Sequence, residues 1–575
     1  MNDELSRVWG SQSLSRRRML RSSAIGAAGL GAAALIGCGS SSETKPAGSA
    51  EAPAAGKAAG APSATTAPAA KKKGGTLKHS MVADPPGWGL FQAASTTVGQ
   101  GSHAYDKLLD VATGPGKDGF NVELIPQIAS AMPEQPDGTT YVFKIRQGVK
   151  FHNTAPVNGR AMTVEDVKES IDTLRKHKQW TNDYKAVTEV TAVDATTLRI
   201  KTSAPYAPLL NFSAGHYGWR IHPKEIVAAD GKGEHEKNPI GTGPFIRSEW
   251  TQGSKIVFKK NPDYWNKDAI NLDTLETLII PDQAAMSAAF RTKQIDVLNI
   301  SLGAALNQDL RKAVGKNAVE QIANGNSPWI AFNTTKAPFN DVRVRQAIGL
   351  LYNRAAEVAS VHLGDADPVG TALLPYPEAL KPKDIPDMAN FTKHDVAEAK
   401  KLLAAAGHPN GFKTEIHITP QYFQNSGYQD SVERIVGDLK QAGIEATIKS
   451  TEYGVWIASV YRPPFNFDGI LWGPGRYYAD PDPYVNYWLH PKGIANQSRV
   501  NDPAMTALVE KQALQTNPKE RWETLREIQK LEAKNAWYIW RVTTKSSVWT
   551  QTTVKDFARH EAYDNREFWH AWMDA

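Results

Sequence analysis

Residues 238–265 read NPIGTGPFIRSEWTQGSKIVFKKNPDYW, and the rest of the chain is organised around them. Gly241, Gly243 and Pro244 stand between the apolar residues Ile240 and Phe245. Glycine opens backbone angles closed to other residues, and proline fixes one dihedral and removes a donor. Phe245-Ile246 then starts a strand, Gly253 turns it, and Ile256-Val257-Phe258 starts the next. Taken locally, this is a tight loop entering a hairpin.

Outward from that loop, the chain of 575 residues exceeds the size at which one hydrophobic core keeps growing, so at least two lobes are expected. The formal charge of +6 invites a nucleic-acid partner, but its location argues against one. Residues 1–37 carry a net +3 and residues 39–73 another +3, which leaves the remainder neutral and without a basic footprint for phosphate. The single cysteine, Cys38, excludes internal disulfides and a thiolate cluster in the folded body.

The N-terminus has the parts of an export signal. Ser15-Arg16-Arg17-Arg18-Met19-Leu20-Arg21 fits a twin-arginine pattern, and Ser22–Gly37 is a mild alanine- and glycine-rich stretch, too short for a membrane span. Leu35-Ile36-Gly37-Cys38 resembles a lipoprotein box, so Cys38 is the expected lipidation site after removal of signal peptide 1–37. Residues 38–73 are rich in alanine, proline, serine, glycine and lysine, a composition expected of a disordered tether. Lys71–Lys73 at its end read as a solvated charge run or a contact for anionic headgroups.

In the body, Asp137-Gly138 has hairpin-turn chemistry, and Tyr141, Phe143 and Ile145 alternate as in a half-buried strand. Thr163 and Asp166 form a capping-box pair before a helix whose Val164, Val167, Ile171 and Leu174 share one face. Residues 394–450 alternate helix and strand, with helices stopped at Gly407 and Gly443, which argues for an open mixed sheet flanked by helices. No repeat period and no catalytic signature stands out: His235-Glu236 lacks the second histidine of a zinc motif, and His216, His222 and His235 read as surface residues. No metal or cofactor is expected.

The order of these elements resembles the extracytoplasmic solute-binding proteins of ABC importers, of the oligopeptide, dipeptide and nickel type (family 5). The resemblance rests on Pro239, Gly241, Thr242, Gly243, Pro244 and Phe245 with Asn261, Tyr264 and Trp265, on Tyr105-Asp106-Lys107-Leu108-Leu109, on Leu124–Ala129, on Phe143–His152, on Gln294–Val297 and on Pro338–Ile348. It implies an α/β clamshell of two lobes with mixed sheets. Lobe I would comprise 74–98, 236–326 and 545–575, an extra subdomain 99–235, and lobe II 327–544. The Tyr105 element is expected on a helix, His152 in a structural role, and Arg343 and Arg345 in pairs at the surface.

The resemblance also implies a ligand cleft contacted by Trp88 and Tyr105 from one side and by Trp472, Arg476, Tyr477, Tyr478 and Asp480 from the other. Peptide-binding members carry an acidic residue three places after the tryptophan, where this chain has Gly475. Asp480 is left as the acid for a ligand amine if the loop folds back, and Arg476 with its tyrosines suits a carboxylate, a sugar or a planar ring. The implied protein is a monomer and not an enzyme. It is lipid-anchored on the outer face of the cell membrane, in the periplasmic space or at the cell surface. It takes a small or peptide ligand to an ABC permease. A sensor of the same shape and a secreted hydrolase are the alternatives.

Overall fold

The computed structural model describes residues 71–574 except 89–94, 118, 121, 178–183, 216–218, 229–237, 325–327, 372, 375, 420–426, 476–477, 479 and 561–565. The export signal, Cys38 and the tether up to residue 70 lie outside the described residues, as do Arg476, Tyr477, His216 and His235.

Two large sheets carry the body. One has eight strands in the order Ala318–Asn324, Thr543–Gln551, Val297–Leu298, Thr76–Met81, Thr274–Ile279, Lys255–Lys260 and Phe245–Thr251, with Ala366–Asp367 also on Thr543–Gln551. Thr76–Met81 runs parallel to both of its neighbours, and the hairpin strands are antiparallel, so the sheet is mixed. The other sheet has five strands in the order Glu445–Ser450, Lys413–Ile418, Ile470–Gly473, Trp329–Phe332 and Tyr538–Trp540. Its first three strands are parallel and its last two pairings antiparallel. Ile470–Gly473 and Trp329–Phe332 are buried throughout, as strands covered on both faces must be.

Each sheet has its own apolar core. Residues drawn from 329–542 pack around the five-stranded sheet, and residues from 77–105, 245–297 and 548–571 around the larger one. A third core, from 108–240, belongs to a four-stranded antiparallel sheet in the order Glu134–Asp137, Thr140–Lys144, Thr197–Thr202, Val187–Asp194. The helix Val164–Lys176 lies against this sheet with Val164, Val167, Ile171 and Leu174 buried, and the Thr163–Asp166 capping box is formed. The helices Val396–Ala405 and Tyr428–Lys440 end before Gly407 and Gly443, both at positive φ.

The glycines of the opening loop work differently from the expectation. Neither Gly241 nor Gly243 has a positive φ. A Cβ on Gly241 would sit 2.2 Å from the Ala104 carbonyl oxygen, and one on Gly243 would sit 2.5 Å from the Ala104 carbonyl carbon. The motif is there because two backbones touch, and Gly243 N–H donates to Ala104 at 2.9 Å.

Four further expectations change. Tyr105–Leu108 is not helical but runs extended into the strand Leu109–Val111, because its polar groups bond to distant segments instead of to a local helix. Arg345 is not at the surface: it is buried and donates to the carbonyls of Phe339, Asn535 and Ala536, while Arg343 pairs with Asp341 at the helix start. His222 is buried too, its ring centroid 4.5 Å from that of Tyr105. Lys71 and Lys72 are not a free charge run either, since they pair with Asp556 and Asp574.

Candidate functional site at the seam

Of the expected site residues, Tyr105 belongs to a joint built on its neighbour Asp106. The Asp106 carboxylate is fully buried and accepts four bonds, all from neutral donors. Gln127 Nε2 (2.8 Å) and Tyr264 Oη (3.1 Å) reach Oδ1, and Thr242 Oγ1 and Trp265 Nε1 (3.0 Å each) reach Oδ2. Burial pushes its pKa up to about 6, against the pull of Arg566 and those donors. Thus Asp106 forms one knot with Thr242, Tyr264 and Trp265, which lie 136 to 159 positions further along the chain. His152 completes it: its amide donates to Gly241 O at 2.9 Å and its Nε2 lies 3.0 Å from Gly243 O. Burial lowers its pKa to about 4, so it is neutral near pH 7 and structural. Tyr105 itself is 4% exposed, with its phenol pushed up to about 12 by burial.

Trp88 is 3% exposed and sits in the core of the eight-stranded sheet, edge-on to Trp250 and Phe258, with Arg247 5.6 Å from its ring. Its loop is stapled to the hairpin by Asp84, which accepts from Trp250 Nε1 and Gly253 N–H. Trp472 is wholly buried in the five-stranded sheet, under the Arg541 guanidinium at 3.7 Å. Arg541 lies between Tyr538–Trp540 and Thr543–Gln551, where the chain leaves one large sheet for the other. Trp88 and Trp472 are therefore packed into separate cores.

The residues after Trp472 lead to the seam. Tyr478 is edge-on to Tyr484 and Tyr487, and its carbonyl accepts from Tyr376 Oη at 2.6 Å. Asp480 has no exposed surface. Arg521 grips it at 2.8 and 2.5 Å through two nitrogens, and Asn211 Nδ2 donates to it at 2.7 Å. Arg521 Nε donates to Gln512, whose amide in turn donates to Asp482. Asp482 is raised in pKa by burial first and then by the charge on Asp480. Both Asp480 oxygens are thus committed within the protein, so Asp480 is not free to meet a ligand amine. Instead it joins Asn211, from the helix Leu209–Ala214 in the third core, to the helix Pro518–Asn535.

Beside this clasp lies a cavity of about 350 Å³. One wall comprises Phe120, Val122, Glu123, Leu124, Ala207, Leu210 and Asn211, and the other Tyr376, Pro377, Glu378, Pro481, Gln515, Thr516, Pro518, Arg521 and Trp522. Ala207 N–H donates to Ala513 O at 2.9 Å across the floor. Its volume is at the small end of ligand pockets, which span roughly 300–1,000 Å³. Among the described residues after Trp472, Pro481, just beyond Asp480, lines this cavity; Tyr376, Gln515 and Trp522 carry no local motif that marks them in the sequence. Among the described residues no cluster of side chains suits a metal ion, and no helix is long and apolar enough to cross a membrane.

The model of the bacterial extracellular solute-binding proteins, family 5, matches residues 123–496. The dipeptide-binding protein of Escherichia coli (strain K12) is 28% identical over 413 residues, covering 68% of this chain and 74% of that protein. Heme-binding protein A of Haemophilus influenzae is 25% identical over 453 residues, 74% of this chain and 79% of the relative. The solved structure of the ABC transporter-associated periplasmic binding protein DppA from Helicobacter pylori, in complex with the peptide STSA, superposes with a TM-score of 0.72 at 25% identity. It covers 88% of this chain and 99% of that one. The chain belongs to the family 5 extracellular solute-binding proteins and has their two-lobed periplasmic-binding-protein fold. These relatives are named as binding proteins, the Helicobacter pylori one as ABC transporter-associated, and the chain is a solute-binding protein and not an enzyme.

Proposed function

We propose that this chain is a lipid-anchored receptor that captures a small solute, peptide-like or another small organic molecule, between its lobes and delivers it to an ABC permease. The carrying observation is the seam itself: a cavity walled from two bodies that the Asn211–Asp480–Arg521 clasp and the Ala207–Ala513 backbone bond join. A ligand touching both walls favours the state in which the walls are close, and only by its differential affinity for that state.

In this reading lobe I is 74–98, 236–326 and 545–575, with subdomain 99–235 and lobe II 327–544. Trp88, Tyr105, Trp472 and Asp480 set the frame, and Arg476, Tyr477 and Tyr478 supply contacts from the loop that the frame holds. The names of the relatives support the solute class, since proteins described as binding a dipeptide and heme are among them. The N-terminal lipoprotein pattern supports anchoring through Cys38.

Two experiments test this. Arg476→Ala should weaken solute binding in calorimetry at least tenfold; unchanged affinity removes Arg476 from the contact set. Cys38→Ala should shift the protein from the membrane to the soluble fraction of the cells that make it, and an unchanged distribution contradicts lipid anchoring.

A further inference from the structure

The chemistry of the seam cavity narrows the class of solute, on the premise that this cavity is where the solute sits. We infer that it selects a molecule carrying a protonated amine on a flat apolar body. Three observations point the same way.

The first is that the positive groups around the cavity are already used. All three Arg521 guanidinium nitrogens donate within the protein, two to Asp480 and one to Gln512. The helix Pro518–Asn535 starts at the cavity, but its first residue is a proline, and the next two amides are taken by Asn517 Oδ1. An anion would find neither a free guanidinium nor a free helix N-terminus there.

The second is a surplus of acceptors. Gln515 Oε1 is buried and accepts no hydrogen bond among the described residues, although it lines the cavity. An unsatisfied buried acceptor is costly, and a ligand N–H removes the cost. Glu378 lines the same wall, and its carboxylate forms no ion pair among the described residues; only its main-chain carbonyl is bonded, by Arg526. Glu123 on the opposite wall is held by Lys117 and adds no uncompensated charge.

The third is the shape of the walls. Tyr376 and Trp522 have ring centroids 5.5 Å apart at 56°, and Phe120 faces the cavity from the opposite wall. Aromatic faces favour a flat partner and attract a cation through the ring quadrupole. An ammonium near Glu378 and Gln515 with its ring among Tyr376, Trp522 and Phe120 satisfies all three.

The probes are 2-phenylethylamine, 2-phenylethanol and phenylacetate, titrated into the full chain at pH 7 with ligand-observed NMR. The amine should bind at least tenfold tighter than the alcohol, and phenylacetate weakest. Gln515→Leu and Glu378→Gln should each weaken the amine three- to tenfold and leave the alcohol unchanged. Phenylacetate binding as tightly as the amine, or both variants behaving as wild type, overturns the inference. Leu210→Trp, which fills the cavity from the opposite wall, separates the two levels. If it blocks binding of phenylacetate or the alcohol while the amine never binds, the class is wrong and the site stands. If the amine binds this variant as it binds wild type, the cavity is not the site and the inference falls with it.

Discussion

Two buried aspartates hold this molecule together, and they do it in opposite ways. Among the described residues Asp106 accepts from four neutral donors and from no cation; Asp480 is clamped by one guanidinium and steadied by the Asn211 side-chain amide and the Asp482 backbone N–H. The first joint fastens segments next to the Gly241–Phe245 loop, where backbones touch too closely for a side chain. The second crosses the seam beside the cavity. A carboxylate caged by neutral groups fixes geometry, whereas one paired with a buried charge depends wholly on its partner staying in place.

The contrast is broken most severely at Arg521. Arg521→Met strands the Asp480 charge without its counter-ion and should cost about 3–5 kcal/mol in urea unfolding. Adding Asp480→Asn should restore part of that loss. A single-variant cost below about 1 kcal/mol would show that the clasp is not a buried pair.

Acid comes next. His79 and His152 are buried neutral, with pKa values lowered to about 4 by burial. Between about pH 6.5 and 4 the unfolded chain therefore binds more protons, so stability falls as the pH falls through that window, by about 3 kcal/mol per histidine. Asp106 has the opposite sign: its folded pKa of about 6 exceeds the unfolded value, so its contribution weakens as the pH rises from about 4 to 6. Asp106→Ala should cost about 2–3 kcal/mol at pH 7, less than the loss of Arg521, because it leaves neutral donors and no stranded charge. It should also steepen the acid loss that the histidines cause, as read from unfolding midpoints at pH 7, 6 and 5. A shallower slope would contradict the opposing signs.

The smallest expected effect is at the seam's outer bond. Asn211→Ala removes one hydrogen bond to a charged group and should cost about 1.5–3 kcal/mol if that bond is fully protected, less where water replaces it. Urea unfolding measures it; a gain in stability would exclude Asn211 from the clasp.

The fold was legible wherever a segment obeys its own period: the capping box at Thr163, the helices stopped by Gly407 and Gly443, and the hairpin after Phe245 all stand as their residues dictate. What failed had partners remote in sequence. Tyr105–Leu108 is held extended by Gln127 and Thr242, Arg345 is drawn inward by carbonyls nearly 200 residues away, and Asp480 is occupied by Arg521. At the candidate cavity the sequence offered less: among the described residues of the stretch after Trp472, Pro481 lines it, while Tyr376 and Trp522 on the same wall and Phe120 on the other are brought together only by the folded arrangement.

The most direct test is native mass spectrometry of gently purified wild-type protein beside the Leu210→Trp variant. Wild type should carry one small molecule per chain that is released on unfolding, and the variant should emerge empty. A solute retained equally by both proteins would contradict a binding site at the seam.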